Sequence, residues 1–195
     1  MSVEFLISVI ITIVGASTPI LLAGMGELVT EKSGVLNLGV EGMMLVGAIA
    51  GFATVDMTGS PWLAVIVAAL AGAGVSMIFA VLTLSLSANQ VATGLALTIF
   101  GSGLSALVGQ GFTGHGIPTF DSIFPAALAS DRFGKVLFSY SPLVYFAIIM
   151  VLAVGWFLRR TRSGLILIAV GEKALSAHSI GYSVIAGRYA AVAFG

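Results

Sequence analysis

The sequence contains very few charged residues and no cysteine. Of its 195 residues 8% are charged and 58% are hydrophobic, whereas a soluble domain carries roughly 25% charged residues. Too few polar residues are present to cover a folded core with a water-facing shell. The absence of cysteine excludes disulfides, thiolate metal sites and cysteine nucleophiles. Because the net charge is zero and no basic run occurs, a nucleic-acid partner is not expected.

The hydrophobic residues form runs that are long enough to cross a lipid bilayer. A helical span needs roughly 20 apolar residues, and no charged residue occurs between positions 57 and 120. The polar stretch SLSANQ, residues 85–90, divides this region into two spans. The sequence therefore predicts an all-α polytopic membrane protein with five spans and the start of a sixth. The five are expected at residues 5–26, 34–55, 62–84, 91–108 and 142–158.

The positions of the cations predict the orientation, since short loops rich in Lys and Arg stay on the cytoplasmic side. A loop at residues 111–139, which is rich in Gly and Pro, is expected outside, with room for a short surface helix. A loop at residues 159–184 is expected in the cytoplasm. Six of the eight cations are then expected on the cytoplasmic side: Lys32 in the loop at residues 27–33, and Arg159, Arg160, Arg162, Lys173 and Arg188 after the fifth span.

The cytoplasmic loop contains the segment GEKALSAHSIG, residues 171–181. Its small residues between two glycines predict a short helix that lies along the membrane surface. Such a helix suits a groove in a partner protein. An ordinary connector between two spans is the alternative.

Three segments together resemble the permease subunits of bacterial ABC importers for nucleosides and simple sugars. They are SGVLNLGVEGMMLVGA, SANQVATGLALT and TRSGLILIAVGEKALSAHSIG. The resemblance implies a multi-pass protein of the bacterial inner membrane, without a metal, cofactor or catalytic site of its own. It implies three partners: a cytosolic ATP-binding subunit, a second related permease subunit and an external substrate-binding lipoprotein. The residues implied to couple to the ATPase are Gly171, Glu172, Lys173, His178 and Gly181.

Permeases of this family usually continue with further helices after the coupling loop. Here only a short apolar segment ending in RYAAVAFG follows. The chain is therefore expected to be one transmembrane domain, residues 1–195, truncated at its C-terminus.

Glu41 is a carboxylate within an apolar run, and burying it in lipid would cost roughly 2.5 to 3.5 kcal/mol. If the run is one helix, Asn37 and Glu41 share a face at i, i+4 spacing, and the nearby glycines permit a broken helix. One hypothesis places Asn37 and Glu41 on the translocation path, where they bind substrate hydroxyls. The other has Glu41 accept hydrogen bonds from N–H groups released at a glycine break.

A second polar group stands where the fourth span begins. Asn89, Gln90 and Thr93 either line the path or form the entry of a helix with Asn89 as N-cap. His115 has no second His, Cys or nearby carboxylate in the sequence, so a metal site is not expected there.

Two other functional classes can be weighed against an importer permease. A pore or secondary carrier that needs no ATPase is the alternative, but ion-coupled carriers usually hold several intramembrane carboxylates, whereas only Glu41 is expected deep in a span. A membrane-embedded enzyme would require a constellation such as HExxH or paired Asp, which the sequence lacks.

Overall fold

A computed structural model describes residues 3–125, 132–179 and 181–195. In this part of the chain the regular structure is entirely helical. The helices are α1 Val3–Lys32, α2 Val40–Thr58, α3 Pro61–Ala80, α4 Gln90–Gly109, α5 Arg132–Phe138, α6 Pro142–Arg160, α7 Arg162–Glu172, α8 Ala174–Ser179 and α9 Val184–Phe194. A π-helical turn, Val81–Ser85, extends α3, and a 3₁₀ turn, Gln110–Phe112, extends α4.

Five of the described helices are long and apolar enough to cross a membrane, namely α1, α2, α3 with its π turn, α4 with its 3₁₀ turn, and α6. The predicted all-α class and the five spans are confirmed. The chain is a multi-pass membrane protein. The first span is longer than predicted, because α1 continues through Pro19 and past Gly26 to Lys32.

The second span begins later than predicted. Gly34 has φ +81°, its N–H donates to the Glu31 carbonyl, and the Val35 N–H donates to the Thr30 carbonyl. In this pattern a helix ends at a residue in the left-handed conformation, which glycine adopts without strain. The chain becomes helical again only at Val40. Asn37 therefore lies outside α2, and the prediction that Asn37 and Glu41 share a helix face is wrong.

Helices α2, α3 and α4 pack as a unit. Gly59, with φ +67°, ends α2, and the Ser60 hydroxyl caps α3 at Pro61. A Cβ atom on Gly72 of α3 would lie 3.8 Å from the Met43 carbonyl oxygen of α2. Phe79 is fully buried in the core formed by these helices and α9.

The two ends of the helix bundle differ in composition. One end holds aromatic pairs between helix ends and loops: Phe52 with Phe112, Trp62 with Phe120, and Phe124 with Tyr145. The other end, here called the basic end, is where α1 and α6 finish and where α7, α8 and the start of α9 lie. It contains the six cations predicted to be cytoplasmic: Lys32, Arg159, Arg160, Arg162, Lys173 and Arg188.

Candidate functional site: the break between the first two spans

Residues 33–39, here called the connecting segment, join α1 to α2 without helical structure. Burial alternates along it: Ser33, Val35, Asn37 and Gly39 are buried, whereas the residues between them are exposed. This period of two is typical of extended backbone. One edge of the segment thus faces the protein, and the other edge, with Leu36 and Leu38, faces outward.

The connecting segment runs from the basic end into the bundle. It runs parallel to α4, because the Leu36 N–H reaches Gln90 and a Cβ atom at Gly94 would come 2.9 Å from the Gly39 nitrogen. The start of α2 at Val40 thus lies beside the second turn of α4. At 1.5 Å per residue, this is about 6 to 10 Å inward from the first residue of α4.

Backbone without helical bonds must find other partners at membrane depth. Six of the seven backbone N–H groups in the connecting segment donate a hydrogen bond to another described group. Those of Ser33, Gly34 and Val35 donate to carbonyls of the last turn of α1. The other three donate to side chains: Leu36 to Gln90 Oε1 at 2.8 Å, Asn37 to Glu27 Oε1 at 3.2 Å, and Gly39 to Asn37 Oδ1 at 3.0 Å.

The predicted site residues of the fourth span divide between two roles. Asn89 accepts a hydrogen bond from the Ala92 N–H at 3.0 Å, so of the two roles expected for it the structure shows the N-cap. Gln90 instead binds the connecting segment. Thr93 lies half-buried on the next turn of α4. Of the predicted site residues, Asn37 thus lies in the connecting segment and Gln90 binds that segment.

Glu41 has a different environment from the one predicted for a packing residue. It lies exposed in the first turn of α2, where the positive end of the helix dipole favours a carboxylate. The N–H groups released at the break bind Glu27, Gln90 and Asn37. The hypothesis that Glu41 satisfies those groups is wrong. Its place on a translocation path stays a prediction.

Two residues that hold the segment were missed from the sequence. Glu27 was placed just after the first span, but it lies inside α1, so Glu41 is not the only carboxylate within a spanning helix. Glu27 Oε2 is buried and has no hydrogen-bond partner in the described part of the chain. Thr98 donates to the Leu38 carbonyl at 3.0 Å. The sequence signal for Glu27 was an acidic residue directly after an apolar run.

The predicted coupling residues lie at the basic end. Gly171 and Glu172 form the last turn of α7, Lys173 interrupts the helix, and His178 belongs to α8. Gly181 follows with φ +91°. The helix predicted for residues 171–181 is thus two helices with a break. Leu175 on α8 is 85% exposed. A hollow of about 290 Å³ is lined by His178, Gly181 and Tyr182–Ile185.

His115 was expected to lack a nearby carboxylate, and this is wrong. Its Nδ1 lies 3.0 Å from Asp56 Oδ1, at the end of the bundle opposite the basic end. Among the described residues, no three His, Cys, Asp or Glu side chains are grouped as a metal site would require. The pair joins the loop after α4 to the end of α2.

Comparison with known proteins identifies the family. Residues 9–195 match the family described as branched-chain amino acid transport system / permease component. The chain belongs to this permease family. No solved structure matches it.

Three curated relatives are similar along most of the chain. A protein of Haloferax volcanii, TsgC13, whose name assigns it provisionally to glucose ABC transport as a permease protein, is 41% identical over 93% of this chain. The nucleoside ABC transporter permease protein NupC of Lactococcus lactis is 32% identical over 90%. The guanosine ABC transporter permease protein NupQ of Bacillus subtilis is 30% identical over 98%. This chain spans 57%, 59% and 65% of the lengths of these three relatives.

Proposed function

We propose that the chain is a membrane-spanning permease subunit of an ATP-driven importer for a nucleoside or a simple sugar. It acts with a separate cytosolic ATPase, a second related permease subunit and an external substrate-binding lipoprotein. The observation that carries the proposal is the contact at the basic end between Gly171 of α7 and the start of the connecting segment, where a Cβ atom on Gly171 would lie 2.9 Å from the Gly34 nitrogen. The α7–α8 region, which is proposed to bind a cytosolic partner, there meets irregular backbone that runs into the bundle between spanning helices.

The connecting segment and the start of α2 are proposed to line the translocation path. Irregular backbone at membrane depth is tolerated where protein buries it or where it borders a wet cavity. One edge of the segment is buried against Glu27 and α4, and its other edge is exposed together with Glu41. A carboxylate is costly to place against lipid. The exposed edge is therefore proposed to face the path and the second permease subunit.

The α7–α8 region is proposed to dock on the ATPase. Exposed apolar side chains such as Leu175 are suited to an interface. Lys173 and His178 are exposed beside it. Hydrolysis of ATP then takes place in the partner, and this chain contributes binding and movement.

Purification with the partner subunits tests the proposal directly. We expect the chain to co-purify with a cytosolic ATPase after mild detergent extraction and to import radiolabelled guanosine or glucose only when ATP is supplied. The substitution Leu175→Glu should abolish the association, because it places a charge in an apolar interface. Ile123→Glu places the same charge on an exposed apolar residue of the loop after α4, at the opposite end of the bundle, and should leave the association intact. Uptake without any ATPase would support the alternative, an ATPase-independent pore or secondary carrier.

Glu41 provides a test of the path. We expect Glu41→Gln to lower the melting temperature by no more than about 4 °C, because the exposed carboxylate has no hydrogen bond to the described residues and only its attraction to the helix dipole, about 0.3 to 1 kcal/mol, is lost. Uptake should fall about tenfold, which corresponds to about 1.4 kcal/mol in a barrier. Thermal unfolding in detergent and initial uptake rates measure the two effects. Glu4→Gln, at the exposed start of α1, is the control, and equal uptake by both variants would remove Glu41 from the path.

A further inference from the structure

Three parts of the chain meet at the first two residues of the connecting segment. Gly171, in the last turn of α7, is in backbone contact with the end of α1. A Cβ atom at Gly171 would fall on the Lys32 carbonyl oxygen and 2.9 Å from the Gly34 nitrogen. No hydrogen bond between described residues joins Gly171 to Lys32, Ser33 or Gly34. This contact alone would let the surfaces separate when α7 moves.

Arg188 supplies a directional bond at the same place. It lies half-buried on α9, its Nε donates to the Ser33 carbonyl at 3.2 Å, and its Nη2 would lie 3.2 Å from a Cβ atom on Gly34. The Ser33 carbonyl belongs to the C-terminal end of α1, where unpaired carbonyls carry partial negative charge and attract cations. In the part of the chain that the structure describes, no carboxylate lies within 4 Å of Arg188.

The far end of the connecting segment is fixed differently. Gln90 and Glu27 hold its central N–H groups, and the backbone of Gly39 packs on Gly94 of α4. The segment therefore links α7 and α9 at the basic end to the start of α2 inside the bundle. A displacement at its first residues can reach α2 only if those residues stay attached to α7 and α9.

We infer that Arg188 is a positioning residue for coupled transport, which clamps Ser33 and keeps the connecting segment against Gly171. Movement of the α7–α8 region is then passed through residues 33–39 to the start of α2. This inference rests on the proposed function. Without the clamp, the ATPase still docks on α8 and hydrolyses ATP, but the path does not follow its movement.

The number of ATP molecules hydrolysed per substrate molecule imported tests the clamp. The assembled transporter is reconstituted in proteoliposomes, with guanosine and glucose as probes. We expect Arg188→Gln to raise this ratio about tenfold, as loss of a charged hydrogen bond to a carbonyl permits. Arg188→Lys should give a smaller increase, because lysine keeps the charge but lacks the planar guanidinium. Arg160→Gln removes an exposed cation of the same end and should leave the ratio unchanged.

Several outcomes would overturn the inference. A parallel fall in hydrolysis and uptake, at an unchanged ratio, would show that Arg188 serves docking or assembly. If Arg188→Gln fails to assemble, Arg188→Lys decides, and a normal ratio for that variant counts against the clamp. If the wild-type transporter neither binds an ATPase nor imports either probe, the proposed function is wrong, and the inference about Arg188 is wrong with it. If the wild type couples hydrolysis to uptake but the Arg188 variants have an unaltered ratio of ATP hydrolysed to substrate imported, the inference is wrong while the proposed function stands.

Discussion

Gly101→Ala is expected to lower the melting temperature of the protein in detergent by about 2 to 12 °C, the shift that about 1 to 3 kcal/mol of overpacking produces in a chain of this size. A Cβ atom at Gly101 would collide with the Gly42 carbonyl oxygen and lie 2.6 Å from the Gly42 Cα. Gly42 meets α4 just as closely, since its own Cβ would lie 2.7 Å from the Thr98 Cα. Backbone atoms cannot rotate away, so α2 and α4 must separate.

The same helix offers a matched control two residues later. Gly103 is exposed, and a Cβ atom there would meet nothing within 4 Å. Gly103→Ala should leave the melting temperature unchanged or raise it slightly, because alanine favours helix by about 1 kcal/mol. Separation of α2 from α4 would also displace the start of α2, so uptake should fall in the Gly101 variant only. Equal melting temperatures for the two variants would contradict the packing described here.

The long helices were predictable because their signal is local. A span is an apolar run of sufficient length, and the five runs in the sequence became five helices. The N-cap at Asn89 was predictable for the same reason, since a cap bonds to a residue three positions away. The external and cytoplasmic assignments depend on a membrane and stay predictions.

The break between the first two spans was not predictable in detail. Residues 34–55 are apolar almost throughout, so composition alone gives no reason to start the helix at Val40. The break depends on contacts across the fold. Gln90 binds a residue 54 positions away, and Arg188 binds one 155 positions away. No periodicity in the sequence specifies such pairs, and the broken-helix hypothesis could not identify Glu27 or Thr98 as partners.

Glu27→Leu is expected to lower both the melting temperature and uptake. The Glu27 carboxylate accepts the Asn37 N–H inside the bundle, and leucine would leave that N–H without an acceptor. A buried, unpaired N–H costs about 1 to 3 kcal/mol, equivalent to a fall of about 2 to 12 °C. Glu27→Gln keeps an oxygen at the position of Oε1, and it should retain most of the wild-type stability.

Membrane insertion cannot account for the loss of stability expected in Glu27→Leu. Leucine enters a bilayer more readily than an acidic residue, so insertion alone predicts that Glu27→Leu is the more stable variant. Glu31→Leu, one turn later at an exposed position of α1, gives the effect of the same exchange without the hydrogen bond. Thermal unfolding and uptake are measured for all three variants. If Glu27→Leu unfolds no earlier than Glu31→Leu, the connecting segment is held by its packing against α4 and not by the Glu27 carboxylate.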